Sequence, residues 1–165
     1  MQILKHQQIE QIVKRLAIEI LEQNIEEKEI CLAGINNNGM HFAQMLMNEL
    51  LHISDIKYTL TRIKISPAAP LDNEILLEIP AKKLKDKVLI IVDDVANTGR
   101  TLFYAFQPLL DTMLKKVEIA VLVNRMHKSF PICVDYKGIE LATTLLQNIE
   151  VVLSDKKEKN SANVL

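Results

Sequence analysis

The stretch VLIIVDDVANTGRT, Val88 to Thr101, decides how the chain folds: five apolar residues run without a break into two acids, a Thr-Gly turn and a second threonine. An uninterrupted apolar run of this length, bounded by turn residues, is the pattern of a strand buried on both faces of a parallel sheet. Leu102, Ala105, Phe106, Leu109 and Met113 follow at helical spacing, so the strand passes through a polar turn into a helix. A parallel strand delivers its C-terminal end to the crevice where such sheets bind ligands, and the turn sets backbone N–H groups and a helix dipole beside it. An anion fits there. Gly99 allows close backbone approach or a positive φ, and the hydroxyls of Thr98 and Thr101 can donate to anionic oxygens. Asp93 and Asp94 repel an anion and need hydroxyl groups or a cation as partners. A phosphorylated sugar supplies both kinds of group.

Working outward, the same unit recurs. Ile30 to Ala33 form a short apolar strand ending at Gly34. Asn36, Asn37, Asn38 and Gly39 read as a loop, and Met40, Ala43, Met47, Leu50 and Leu51 follow at helical spacing. Val117 to Val123 give another buried strand. Ile9, Ile12, Val13, Leu16, Ala17, Ile20 and Leu21 place an amphipathic helix over residues 7 to 21. Alternating strands and helices predict an α/β fold, a three-layer sandwich with a central, mainly parallel sheet covered by helices on both faces. Two stretches fall outside the scheme. Ile56 to Ile63 reads as a strand with mixed faces, and Ser66 to Pro80, with three of the five prolines, reads as a mobile loop with room for a short hairpin. Residues 154 to 165 are polar and lysine-rich, which predicts a flexible tail after a single domain over residues 1 to 153.

Composition narrows the function classes. A chain of 165 residues, 48% apolar, can bury one sizeable core. Twenty basic against 21 acidic residues leave a net charge of -1 and no global basic surface for nucleic acid. No apolar run approaches the roughly 18 residues of a membrane helix, and the N-terminus lacks signal-peptide order, which predicts a cytoplasmic protein. Cys31 and Cys133 sit in apolar runs without metal-ligand spacing and are expected to be buried, reduced thiols.

Other phosphate motifs do not match. Neither GxxxxGK[ST] nor GxGxxG occurs, and an acidic phospho-acceptor pocket would place its acids on the first strand. A strand-end acid that merely caps the next helix explains an isolated DD pair but not the whole string. VLIIVDDVANTGRT resembles the phosphoribosyl pyrophosphate motif of type I phosphoribosyltransferases. The resemblance runs from the N-terminal helix to about Leu153. Within the family it is strongest to the bifunctional pyrimidine operon attenuation regulators and uracil phosphoribosyltransferases, through CLAGINNNGMHFAQML (Cys31 to Leu46) and AVLVNRMHKSFPICVDYKG (Ala120 to Gly138).

The resemblance implies the family's fold, with a small hood, and a set of roles. Asp93 and Asp94 would hold the ribose 2- and 3-hydroxyls, and through them or water a Mg²⁺ ion brought by the ligand. Val95 and Ala96 continue the motif, and Asn97, Thr98, Gly99, Arg100 and Thr101 would hold the 5-phosphate. Ile35, Asn36, Asn37, Asn38 and Gly39 would form the pyrophosphate loop. Arg125, Val134, Asp135 and Tyr136 would meet the base, with Tyr136 or Ile132 covering its face. Arg62 would assist catalysis. Three positions depart from the branch. Relatives carry lysine or arginine where Asn36 to Asn38 stand, an arginine and two acids where this chain reads YTLTRIKISPAAP (Tyr58 to Pro70), and an acid at Asn124.

Two functions follow as expectations. One is a Mg²⁺-dependent enzyme, acting in nucleotide metabolism as a homo-oligomer such as a dimer, that joins phosphoribose to uracil or another base and releases pyrophosphate. The other is a catalytically weak sensor of phosphoribosyl pyrophosphate or nucleotide that regulates, with RNA as a partner that the near-zero net charge disfavours.

Overall fold

The computed structural model describes residues 1–142, 144, 147–154 and 159–165. Chain order is β1 (Gln2–Leu4), α1 (His6–Gln23), β2 (Glu29–Ile35), α2 (Asn36–Ile53), β3 (Lys57–Lys64), β4 (Leu76–Leu77), β5 (Val88–Ala96), α3 (Arg100–Ala105), β6 (Lys116–Arg125), β7 (Tyr136–Leu141), β8 (Ile149–Val152) and β9 (Ser161–Val164). Six strands form the central sheet in the order β4-β3-β2-β5-β6-β7. All neighbours are parallel except β4, which returns antiparallel beside β3 as the short hairpin expected in the proline-rich stretch.

The alternation of β5 separates two cores. Val88, Ile90 and Val92 pack with Leu16, Ile20, Phe42 and Leu46 under α1 and α2. Leu89 and Ile91 pack with Leu102, Ala105 and Leu109 on the opposite face. Helix α1 exists because Ile9, Val13, Leu16, Ala17 and Ile20 form one buried stripe, and the Gln8 side chain accepts the Lys5 N–H at its start. Helix α3 ends at Ala105, far short of the helix to Met113 that the spacing predicts. Pro108 is the reason: it lacks an N–H and its ring would strike the carbonyl of Tyr104, so the chain continues as a 3₁₀ turn over Gln107–Leu109. Met113 is left exposed.

Three further expectations are corrected. Asn36 to Asn38 are not a loop between strand and helix, because α2 starts at Asn36, whose φ of 51° turns the chain directly out of β2. The C-terminus is not a frayed tail as far as it is described. β9 pairs antiparallel with both β8 and β1, making a three-stranded hood whose Leu4, Val151 and Ala162 join the larger core. Two apolar residues, Ala162 and Val164, alternate inward there, and the first and last strands satisfy each other's backbone groups. Residues 155–158 of the expected tail lie outside the described residues. The cysteines are both free, Cys31 buried as expected and Cys133 exposed, contrary to expectation, in a stretch after β6 that belongs to no strand. No helix among the described residues is long and apolar enough to cross a membrane.

The hood pairing predicts that deleting residues 160–165 destabilises the protein by about 2–4 kcal/mol, from the lost apolar burial and unpaired β1. Urea unfolding of the truncated and full-length chains measures this, and an unchanged midpoint would show that β9 contributes nothing.

Candidate active site

Registers of the parallel strands bring the candidate residues to one edge. Gly34 lies opposite Val92, and Ala96 opposite Asn124, so the ends of β2, β5 and β6 open on the same crevice. Helix α2 then presses on β5 so closely that a Cβ at Gly39 would stand 2.6 Å from the Val92 carbonyl oxygen. That approach lets Asn38 Nδ2 donate to Asp94 Oδ2 at 2.8 Å, and to the Val151 carbonyl of the hood at 3.3 Å. One side chain thus joins the start of α2, the acid pair and the hood.

The acids differ in environment. Asp94 is half-buried, and its Oδ1 accepts the Val95 N–H at 2.9 Å. Asp93 is 8% exposed and accepts the Asp94 N–H at 2.9 Å. Burial, and then the charge of Asp94, push the Asp93 carboxyl well above the ordinary value of 3.8. No group of three or more His, Cys, Asp or Glu side chains that could hold a metal gathers anywhere among the described residues. An acid pair with one member buried nevertheless suits hydroxyl donors or a divalent ion carried in by a ligand.

Beside the acids, the turn adopts the shape its sequence allows. Gly99 has φ 86°, and a Cβ there would also meet Ile132 at 3.2 Å. The Arg100 N–H donates to Thr98 Oγ1 at 3.3 Å, while the amides of Thr98, Gly99 and Thr101 have no partner outside their own helix among the described residues. The turn is held from behind. Ser129 and Phe130 N–H groups donate to the Thr98 carbonyl at 2.9 and 3.2 Å. Lys128 Nζ donates to the Asn97 carbonyl at 3.0 Å, to Asn124 Oδ1 at 2.8 Å and to the Arg125 carbonyl. Desolvation there pushes its ammonium below the usual lysine range. Sequence reasoning passed over Lys128, and only its spacing of four from Asn124, past the strand end, offered a signal.

Of the residues expected at the base, Tyr136 does not face the crevice. Tyr136 is buried on the far face under α1, its hydroxyl donating to Glu118 Oε2 at 2.7 Å, and it cannot cover a base. Asp135 is taken up by Ile119, accepting its N–H on Oδ2 at 2.8 Å. Val134 packs on the smaller core, and Arg125 is buried, donating to Asn97 Oδ1 at 3.2 Å and to the Thr144 carbonyl at 2.9 Å. Ile132, against Gly99, keeps its place beside the turn. Arg62 lies opposite Gly34 on β3, two strands from Asp93, so it accompanies the junction of β2 and α2 and not the acids. Asn36, at that junction, bonds to Ile65: its Nδ2 donates to the carbonyl at 2.8 Å and its Oδ1 accepts the N–H at 3.0 Å.

Parallel strands that bring an acid pair and an amide-lined turn to one edge, under an antiparallel hood, define the type I phosphoribosyltransferase class. Residues 1–132 match the model of the phosphoribosyl transferase domain. The chain is 34% identical over 165 residues to the bifunctional protein PyrR of Bacillus pumilus, covering 93% of this chain and 90% of that protein. It is 32% identical over 167 residues to the protein of the same name from Syntrophobacter fumaroxidans, covering 93% and 87%. Among solved structures it superposes on a hypoxanthine phosphoribosyl transferase of Trypanosoma cruzi with a TM-score of 0.79 at 16% identity, covering 100% of this chain and 90% of that one. A hypoxanthine-guanine phosphoribosyltransferase of Bacillus anthracis gives 0.76 at 18% identity, covering 99% and 97%. These structures share the fold. The chain belongs to the phosphoribosyltransferase family.

The Asp93 environment makes a signed prediction. A carboxyl whose folded value is raised binds its proton more tightly folded than unfolded, so stability falls as pH rises from about 4 through the raised value. Asp93→Asn removes that loss. Its thermal midpoint should match the parent near pH 4 and exceed it at pH 7. A variant less stable than the parent at pH 7 would mean that the ionised acid is satisfied where it sits.

Proposed function

We propose that the chain transfers phosphoribose from phosphoribosyl pyrophosphate to a nucleobase and releases pyrophosphate. The observation that carries this reading is the acid pair set beside a turn with unused amides, matching a diol and a phosphate on one sugar. A ring nitrogen of the base displaces pyrophosphate from carbon 1 of the ribose. The acceleration comes from positioned charge more than from a nucleophilic side chain. Asp94, half-buried and steadied by Asn38, accepts from the ribose hydroxyls. Asp93 gains partners for a desolvated carboxyl when the diol arrives. The Thr98–Thr101 amides hold the 5-phosphate, and the Ser129, Phe130 and Lys128 bonds keep the turn from relaxing when it is empty. Asp93 and Asp94 would hold a Mg²⁺ ion brought by the donor, through its hydroxyls or water, and that ion would supply charge neutralisation for the leaving group.

Uracil is our first choice of base on the sequence resemblance, with purines next. A second reading has one observation in its favour: the Asn36 to Asn38 segment lacks the cation a leaving pyrophosphate needs, which suits a sensor that binds the donor without consuming it.

Pyrophosphate release with Mg²⁺ should appear with one member of a panel of uracil, hypoxanthine, guanine, xanthine, adenine and orotate. Donor binding with no turnover across the panel selects the sensor. Asp94→Asn should weaken binding of phosphoribosyl pyrophosphate at least about tenfold by calorimetry, the worth of a charge-assisted hydrogen bond. Unchanged affinity would remove Asp94 from the site.

A further inference from the structure

The pyrophosphate end of the site has asparagines where a leaving dianion calls for cations, and the structure accounts for two of their side chains. Asn36 is bonded at both ends to the Ile65 backbone, and Asn38 donates to Asp94 and Val151. Asn38 has both amide hydrogens committed, and Asn36 one of its two, with its oxygen also taken. Next to them lies a cavity of about 420 Å³ lined by Asn36, Asn37, Arg62, Lys64, Ser66 and Glu74. Arg62 and Lys64 enter it from β3, because the parallel register sets Arg62 beside Gly34, at the point where β2 gives way to α2. Cations absent from the loop thus stand one strand away.

Their partners in the resting protein are poor. Arg62 Nη1 lies 3.8 Å and Lys64 Nζ 4.0 Å from the same Glu78 Oε1, at the outer limit of ion pairing and too long for hydrogen bonds. Arg62 Nε is buried with no hydrogen-bond partner. A buried, unpaired guanidinium donor costs free energy until an acceptor arrives, and a forked donor suits phosphate oxygens. Glu78 can satisfy neither cation fully, and it is exposed.

We propose that Arg62 and Lys64 form the pyrophosphate subsite, replacing the missing loop cation, and that Glu78 is an internal counter-anion which an incoming pyrophosphate displaces. The inference rests on the phosphoribosyl-transfer reading and deepens it. Arg62 and Lys64 hold the β- and α-phosphates of the donor, Asn37 and the backbone at the start of α2 complete the cradle, and Glu74 marks its acidic rim. Arg62 is therefore a binding residue for the leaving group, remote from the acids that grip the sugar.

Calorimetry on the full-length chain with Mg²⁺ separates these claims, using phosphoribosyl pyrophosphate, inorganic pyrophosphate and uridine 5′-monophosphate, which carries no pyrophosphate. Arg62→Gln should weaken the first two about 10- to 100-fold and the monophosphate less than about twofold, with Arg62→Lys recovering part of the loss. Lys64→Gln should act in the same direction by about three- to tenfold. Glu78→Gln should tighten inorganic pyrophosphate by about two- to fivefold, as expected for removing a weak exposed competitor. Equal losses for monophosphate and pyrophosphate in the Arg62 variant, or full affinity in both Arg62 and Lys64 variants, overturn the subsite. A Glu78→Gln chain that binds pyrophosphate more weakly than the parent overturns the counter-anion. If the parent binds neither phosphoribosyl pyrophosphate nor the monophosphate, the phosphoribosyl reading itself falls, while the inorganic pyrophosphate arm still decides the cavity. A thermal midpoint for each variant separates loss of binding from loss of fold, and Lys64 and Glu78, both more exposed than Arg62, keep the test alive should Arg62→Gln fail to fold.

Discussion

Two carboxyls lie near the C-terminal end of β5, a central strand of the sheet, and one of them is buried where it is poorly placed to carry a charge. Asp93 sits at 8% exposure beside Asp94, so the chain stores electrostatic cost at the point where a ligand would relieve it. Around this pair the rest of the crevice is organised by short hydrogen bonds from other elements. Asn38 reaches in from α2, and the hood carbonyl of Val151 shares that amide. Lys128 ties the turn after β5 to the end of β6. Arg100, on the turn, donates to the Pro67 carbonyl at 2.7 Å and so fixes the segment after β3. Each of these segments is thus hydrogen-bonded to another.

Legibility in the sequence followed the locality of the cause. β2, β5 and β6 were readable because each is a run of residues buried on both faces, and Asp93 to Thr101 because strand, acids and turn are contiguous. The hood was not. β9 is four residues in a polar stretch, and its burial comes from a strand at the opposite end of the chain. Tyr136 misled for the same reason: a tyrosine near a ligand edge looks like a base platform, yet strand alternation and the Glu118 carboxylate, 18 residues earlier, turn it into the core.

The asparagine triplet shows how one residue type served as a false signal for a single role. Asparagine tolerates φ above zero and carries both a donor and an acceptor, so a run of three reads equally as an anion loop or as a turn. Asn36 uses the first property to swing α2 out of β2 and the second to close on Ile65, much as an added strand pairing would. Asn38, two residues along, is a crosslink to the acids. Two apparent ligands are joints.

That distinction bears on how the family's chemistry can persist through substitution. A loop that loses its cation loses attraction for a leaving dianion, and asparagine restores hydrogen bonds without restoring charge. Charge acts over several ångströms and need not come from the same segment, whereas a hydrogen bond must be placed within a few tenths of an ångström. A neighbouring parallel strand in register with the loop, carrying Arg62 and Lys64 opposite and just beyond Gly34, can therefore meet the electrostatic requirement while the loop itself is given over to structure. The cost is that the cations now lie on an outer strand, where only the β4 hairpin shields them, so they need a carboxylate of their own at rest. Glu78, on the chain just past β4, is where the topology allows one.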